Sequence, residues 1–264
     1  MLPEVDLLAD MVSQVAQDEI MTRFGQTGFR LKGDGSLVTE ADLAANQRLC
    51  ELLKQHWPSI AFLSEEMDVE QQEKLLLESD WLWCLDPLDG TTNFAAGVPL
   101  FATSLALFHK GKVVMGITYD PVRQESFTVQ KGQGAFLNGV RLQSQPSGFS
   151  LKQAVALLNF KRLPSVLQQV LLQNMPFASQ RNLGACTLEW AWIAANRGQV
   201  YLHGGMKIWD LAVGTLLLSE AGGYACTLKG EAVFRPVVQN RSVVASLDKA
   251  LFEQWYQYLQ QHDV

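Results

Sequence analysis

Apolar residues recur at helical spacing from the start of the chain. Val5, Leu8, Val12, Val15 and Ile20 share one face of a helix expected over residues 4–24. A polar stretch with two glycines, Lys32-Gly-Asp-Gly-Ser36, interrupts the pattern. Thr39 and Asp42 then match the S/T-x-x-D/E start of a second helix reaching to about residue 55. Residues 60–63 form a strand candidate that ends in Ser64-Glu65-Glu66. Residues 81–85, Trp-Leu-Trp-Cys-Leu, do not alternate, and Asp-Pro and Asp-Gly follow at once. Five consecutive apolar residues stopped by turn dipeptides predict a short strand buried on both faces. From 101 to 142 the texture changes to β-rich runs at 103–108, 113–119, 125–129 and 135–137, with Gly or Pro turns between them. That rhythm predicts an antiparallel meander.

The second half alternates strands and helices. Strands are expected at 154–158, 199–202 and 242–245, and helices at 164–174, 184–196, 209–221 and 248–261, with Gly222-Gly223 stopping the third helix. No repeat and no Ser/Gly/Pro linker divides the chain. The expectation is one compact α/β unit over residues 1–264 with two lobes, approximately 1–145 and 146–264.

Composition narrows the function. A chain of 264 residues that is 48% hydrophobic can bury a large core. A net charge of −6 and the absence of any basic run argue against a nucleic-acid-binding surface. No segment approaches the ~18 consecutive apolar residues of a membrane span, and the first residues lack the pattern of a signal peptide. Cys50, Cys84, Cys186 and Cys226 are scattered, and three lie in apolar runs. They read as reduced thiols of a cytoplasmic protein and not as a disulfide or zinc framework.

The candidate chemistry lies in the acids. Asp86 and Asp89 are placed on a sharp turn at the end of a buried strand, where they can converge on one point. Hard oxygen ligands clustered in this way suit Mg²⁺. Glu65 and Glu66 end the preceding strand, Asp210 opens the helix at 209, and Asp42 opens the second helix. Taken singly, these residues read as a surface turn, a helix-dipole partner and a capping-box residue. In combination they describe a carboxylate cluster. No Cys or His nucleophile motif accompanies it.

Four segments, in order, resemble the inositol monophosphatase family of Mg²⁺-dependent, lithium-sensitive sugar-phosphate phosphatases. They are Val38-Thr-Glu-Ala-Asp42, Ser64-Glu-Glu66, Asp86-Pro-Leu-Asp-Gly-Thr-Thr-Asn-Phe94, and Trp209-Asp210-Leu-Ala-Val-Gly with Glu220-Ala-Gly-Gly223. The resemblance implies a layered α-β-α-β-α sandwich of the inositol monophosphatase and fructose-1,6-bisphosphatase type, with the site between the lobes. It also implies two to three Mg²⁺ ions: the first on Glu65, Asp86 and the Leu88 carbonyl, the second on Asp86, Asp89 and Asp210, and a weaker third on Glu65. Thr91, bonded to Asp42, would orient a water for in-line attack on the phosphate of a small-molecule ester. The N–H groups of Gly90, Thr91 and Thr92 would hold that phosphate, and Lys32 would sit on a mobile flap. Gly184 and Cys186 match a substrate-side loop of the family.

One position departs from the pattern. Inositol phosphatases carry a sugar-binding glutamate seven residues before the second-lobe aspartate, and that position here is His203. An imidazole has one donor and one acceptor where a carboxylate accepts from two vicinal hydroxyls. Lys207 adds positive charge nearby and suits a second phosphate or an acidic substrate. The substrate expectation is therefore a small polyol or sugar phosphate, with inositol 1-phosphate, fructose 1,6-bisphosphate and histidinol phosphate as candidates. A non-catalytic regulator that binds a protein partner is the reading from another class. A homodimer is expected, with the strands and aromatics of 101–137 as a candidate face.

Overall fold

A computed structural model describes residues 3–26, 28–33 and 35–262; Asp34 of the glycine-containing stretch lies outside the described residues. The first helix, α1 (Val5–Val15), buries Leu8, Met11, Val12 and Val15. It does not continue unchanged to residue 24. A wider turn over Ala16–Ile20 and a tighter one over Met21–Arg23 follow, and they keep Ala16 and Ile20 in the core. A small hairpin of β1 (Phe29–Leu31) and β2 (Leu37–Thr39) leads into α2 (Glu40–His56).

The first large sheet has seven strands. β3 (Ala61–Ser64) is followed by α3 (Val69–Glu78), a mostly exposed helix that the apolar pattern does not announce. The strand β4 (Trp81–Asp89), next to the edge strand β3, is longer than its apolar run, because it passes through Asp86-Pro-Leu-Asp89 and does not stop at residue 85. A short helix α4 (Thr91–Ala95) comes next. Then β5 (Ala102–His109), β6 (Lys112–Asp120), β7 (Glu125–Gln130), β8 (Gly134–Leu137) and β9 (Val140–Leu142) pair consecutively and antiparallel, as the meander pattern predicts. β3 lies parallel to β4, so the turn carrying Glu65 and the end of β4 are neighbours.

The second sheet has five strands. It is built from β10 (Val155–Asn159), then, after α5 (Ser165–Gln173), β11 (Ser179–Arg181), and, after α6 (Cys186–Ala194), β12 (Val200–Met206). Helix α7 (Ile208–Glu220), β13 (Tyr224–Cys226), β14 (Arg241–Ser246) and α8 (Lys249–Gln260) complete it in the order β11-β10-β12-β14-β13.

Alternation along β4 explains the layers. Trp83 and Leu85 join Leu8, Val12, Ala45 and Leu49 in a core beneath α1 and α2. Leu82 and Cys84 point the other way, to Trp190, Leu211, Val213 and Leu217 of α6 and α7. Those two helices are covered in turn by Tyr201, Val243 and Ala245 of the second sheet. The outer face of that sheet packs Leu158, Leu202 and Val244 on Leu167, Leu171, Leu251 and Trp255 of α5 and α8. The result is a five-layer α-β-α-β-α sandwich. Phe101, Phe108 and Phe127 are fully inside these cores, while Phe136 of β8 is half-buried.

Candidate active site

The geometry of Asp86 and Asp89 depends on one irregularity. Residues three apart on a regular strand point to opposite faces of the sheet. Here Asp86 pairs with Ser104 and Asp89 with Ala102, so three steps on β4 match two on β5. The extra residue is a bulge, which restores both carboxylates to one side. Pro87, which has no N–H to give a ladder, sits inside the bulge, and its carbonyl accepts from Thr103 Oγ1 at 2.9 Å. Gly90 then turns the chain with φ +87°, and a Cβ there would lie 2.9 Å from the Leu100 carbonyl oxygen.

Helix starts deliver the remaining groups. Asp42, in the first turn of α2, accepts on Oδ2 from the Thr39 N–H (2.7 Å) and hydroxyl (2.5 Å), the expected capping box. Its Oδ1 lies 3.0 Å from Thr91 Oγ1, which is also 2.9 Å from the Leu88 carbonyl oxygen. Asp89 Oδ2 accepts from both the N–H and the hydroxyl of Thr187, each at 2.6 Å, at the start of α6. The Cys186 and Gly90 N–H groups also bond Asp89, so the Gly90 N–H expected to face phosphate is engaged by this carboxylate. Asp210, in the first turn of α7, accepts from the Lys207 N–H at 2.9 Å. Ligand oxygens of Asp86, Asp89 and Asp210 lie within 4.8 Å of one another.

Burial sets the electrostatics. Asp86 is buried, and its carboxyl is pushed well above the usual carboxylate range by desolvation and then by the charges of Glu65, Asp89, Asp210 and Asp42. Desolvation, then Asp89 and Glu65, drive Asp210 up in the same way. Asp89 is also raised by burial, against the pull of its Thr187 hydrogen bonds. Asp86 Oδ1 has no hydrogen-bond partner among the described residues. An orphaned carboxylate oxygen amid three repelling acids fits a hard divalent cation, which would neutralise the cluster and take the vacant lone pairs.

Glu65 lines the same cavity but lies outside the group of three, and Lys32 Nζ bonds its Oε1 (3.1 Å) and Glu66 Oε1 (2.8 Å). Burial opposes the Lys32 charge, but the two glutamates outweigh it and hold the ammonium above the usual lysine range. Gln72 of α3, which the sequence reading passed over, is buried and donates to the carbonyls of Ser64 (2.9 Å) and Met67 (3.1 Å). It thereby fixes the turn that presents Glu65 and Glu66.

A cavity of about 290 Å³ opens over these groups. Besides the acids it is lined by Leu88, Gly90, Thr91, Thr92, Gly184, Cys186, His203 and Lys207, all expected from the sequence. Asn159, Lys161 and Arg162 line it too, and nothing in the local pattern marked them. His203 is buried on β12, where its Nδ1 accepts from the Gly205 N–H at 3.1 Å. Desolvation, helped by Arg162, lowers its pKa to about 4, so the ring is neutral. Lys207 Nζ donates to the Val238 carbonyl at 3.1 Å.

Comparison with known proteins gives the class. The model of the inositol monophosphatase family matches residues 4–263, and the chain belongs to that family. It is 36% identical to an inositol-1-monophosphatase of Caulobacter vibrioides over 222 residues, covering 81% of this chain and 84% of that one. It is 33% identical to the Nus factor SuhB of Pasteurella multocida over 211 residues, or 76% and 75% of the two chains. The extragenic suppressor protein SuhB of Bartonella henselae has a similar structure, with a TM-score of 0.82 at 28% identity over 97% of each chain. Among the described residues, no helix is long and apolar enough to cross a membrane.

Proposed function

We propose that the protein is a Mg²⁺-dependent hydrolase of a small polyol or sugar phosphomonoester, of the inositol-1-phosphate phosphatase kind. The observation that carries this reading is the group Asp86, Asp89 and Asp210, with its unpartnered Asp86 oxygen, placed beside the Thr91–Asp42 hydrogen bond. Family membership and the relatives named inositol-1-monophosphatase support it.

In this reading Glu65, Asp86 and the Leu88 carbonyl hold one ion and Asp86, Asp89 and Asp210 another, with Glu65 serving a weaker third. Bound there, the metal supplies Lewis acidity and lowers the pKa of water. The chain's own residues do the positioning. Thr91, with its hydroxyl between Asp42 and Leu88, keeps lone pairs free to accept from a water, and Asp42 receives the Thr91 proton. The starts of α4, α6 and α7 line the cavity, so their aligned dipoles favour phosphate there. The N–H groups of Gly90, Cys186 and Thr187 serve Asp89, which leaves those of Thr91 and Thr92 as the phosphate donors in this reading.

Phosphate release from a panel of polyol and sugar phosphates, with Mg²⁺ present and then chelated, tests the proposal. Hydrolysis that survives complete chelation would overturn it. A regulatory, partner-binding role is the second reading, favoured by the relatives named Nus factor SuhB. A scaffold without catalysis has no physical need to bury several mutually repelling carboxylates together.

A further inference from the structure

The cavity wall also carries groups of opposite character. Every acidic side chain among its described lining residues, namely Glu65, Asp86, Asp89 and Asp210, belongs to the cluster just described. The same cavity is also lined by Asn159 at the close of β10, Lys161 and Arg162 in the turn after it, His203 and Lys207. Their side chains offer donors. Because His203 Nδ1 accepts from the Gly205 N–H, the proton of its neutral ring is on Nε2. That Nε2–H faces only the Cys186 sulfur, at 3.6 Å, a poor acceptor. Asn159 Oδ1 accepts from the Lys161 N–H at 3.0 Å, which leaves its NH₂ to donate.

The cations are anchored yet keep spare donors. Arg162 gives one N–H to the Gly205 carbonyl at 2.8 Å, and Lys207 gives one to Val238. A guanidinium has five N–H groups and an ammonium three, so each can bind a further acceptor. The Arg162 backbone is itself locked on β12, since its carbonyl oxygen lies 1.9 Å from where a Cβ on Gly204 would be.

A neutral diol brings protons that need acceptors, and these groups have few to offer. An oxyanion brings acceptors only, and cations with fixed donors are what bind it. We propose that the substrate is a phosphate ester carrying a second anionic group, phosphate or carboxylate, which Lys161, Arg162, Lys207 and the His203 Nε2–H hold while the scissile phosphate lies at the acids. This rests on the hydrolase reading above and specifies its substrate class.

Matched pairs separate the two possibilities for the second group. With saturating Mg²⁺, fructose 1,6-bisphosphate is compared with fructose 1-phosphate, and 2-phosphoglycerate with glycerol 2-phosphate. In at least one pair the doubly anionic ester should show kcat/KM higher by about tenfold or more, carried by KM, as one charge-assisted contact provides. The phosphate pair and the carboxylate pair then report which group is read. Arg162→Gln should reduce that ratio by about tenfold. Lys161→Gln, at an exposed side chain with little folding risk, should reduce it by a smaller factor. Calorimetric titration of the same four compounds into Mg²⁺-loaded Asp42→Asn protein gives a readout that does not depend on turnover. Equal rates and equal binding within both pairs would overturn the proposal and leave the hydrolase intact. Binding preference without hydrolysis of any ester would instead remove the hydrolase reading and support the anion subsite.

Discussion

The acidic groups of the cavity are held by backbone, whereas the basic groups are held by the tips of long side chains. Asp42, Asp89 and Asp210 each accept from main-chain N–H groups at a helix start, and the β4 bulge aims Asp86 and Asp89 together. Among the described residues, the Arg162 and Lys207 side-chain tips are each tethered by one hydrogen bond, to the Gly205 and Val238 carbonyls. Carboxylates that repel one another and must together neutralise a bound ion need fixed spacing, because their interaction energy changes steeply with distance. A pocket that reads one end of a small ester tolerates more play. Reaction and selectivity are thus built with different stiffness within one cavity.

The sharpest way to break the acidic group is Asp86→Asn. It should lower kcat by at least ~10³, because both proposed ions share this residue. Phosphate-release kinetics check it, and near-wild-type turnover would rule out the shared-ligand arrangement. The segment that carries Arg162 can be displaced through Gly204, against which its main chain packs. Gly204→Ala forces a methyl into the Arg162 carbonyl and should cost about 3 kcal/mol, a figure for severe overpacking, read as a lower midpoint in urea.

A buried acid on α6, outside the cavity lining, gives a pH-dependent comparison. Glu189 accepts from the Leu183 N–H (2.9 Å) and the Tyr201 hydroxyl (2.9 Å), and desolvation raises its pKa from 4.5 to about 7. A raised carboxyl favours the folded state most when protonated. Its contribution is therefore complete below pH 4.5 and is lost as pH rises through 7. Relative to Glu189→Gln, the wild type should lose about 2–3 kcal/mol of stability over that window, measured by urea unfolding at each pH with Mg²⁺ held constant. Parallel stability curves for the two proteins would refute this.

Smaller effects sharpen the contrast. Thr187→Val keeps the N–H bond to Asp89 but removes the hydroxyl bond, so half-maximal activity should need about tenfold more Mg²⁺ with little change in kcat. An unchanged Mg²⁺ titration would make the hydroxyl irrelevant to the site. His203→Glu restores an acceptor at the cavity wall and should move preference toward inositol 1-phosphate by several-fold, up to about tenfold. A wild type that already prefers inositol 1-phosphate over fructose 1,6-bisphosphate by more than ~100-fold would contradict this account of His203.

Much of the acidic group was legible because its residues lie in contiguous motifs with local causes. The capping box at Thr39 and Asp42 and the apolar run before Asp86 are patterns that short-range physics dictates. The meander was equally plain from its turns. The bulge was not, since pairing Asp86 with Ser104 and Asp89 with Ala102 depends on a partner strand absent from the local pattern. Helix α3 escaped notice because only Gln72 of it is fully buried, so it has almost no apolar stripe. Thr187 and Arg162 gain their meaning from Asp89 and Gly205, 98 and 43 residues away. Their neighbours in sequence carry no sign of it.

The extra residue in β4 has the logic of a reading frame. Inserting one residue into β5 between Ala102 and Ser104 would match the three steps of β4 one for one, return the pair to strict two-fold alternation and turn Asp89 toward the opposite layer. The apolar stretch before it, Leu82 to Leu85, would keep its phase and its two cores. A chain lengthened there by a single unit would carry every acid named above, keep most of its packing, and lose the point where Asp86 and Asp89 meet.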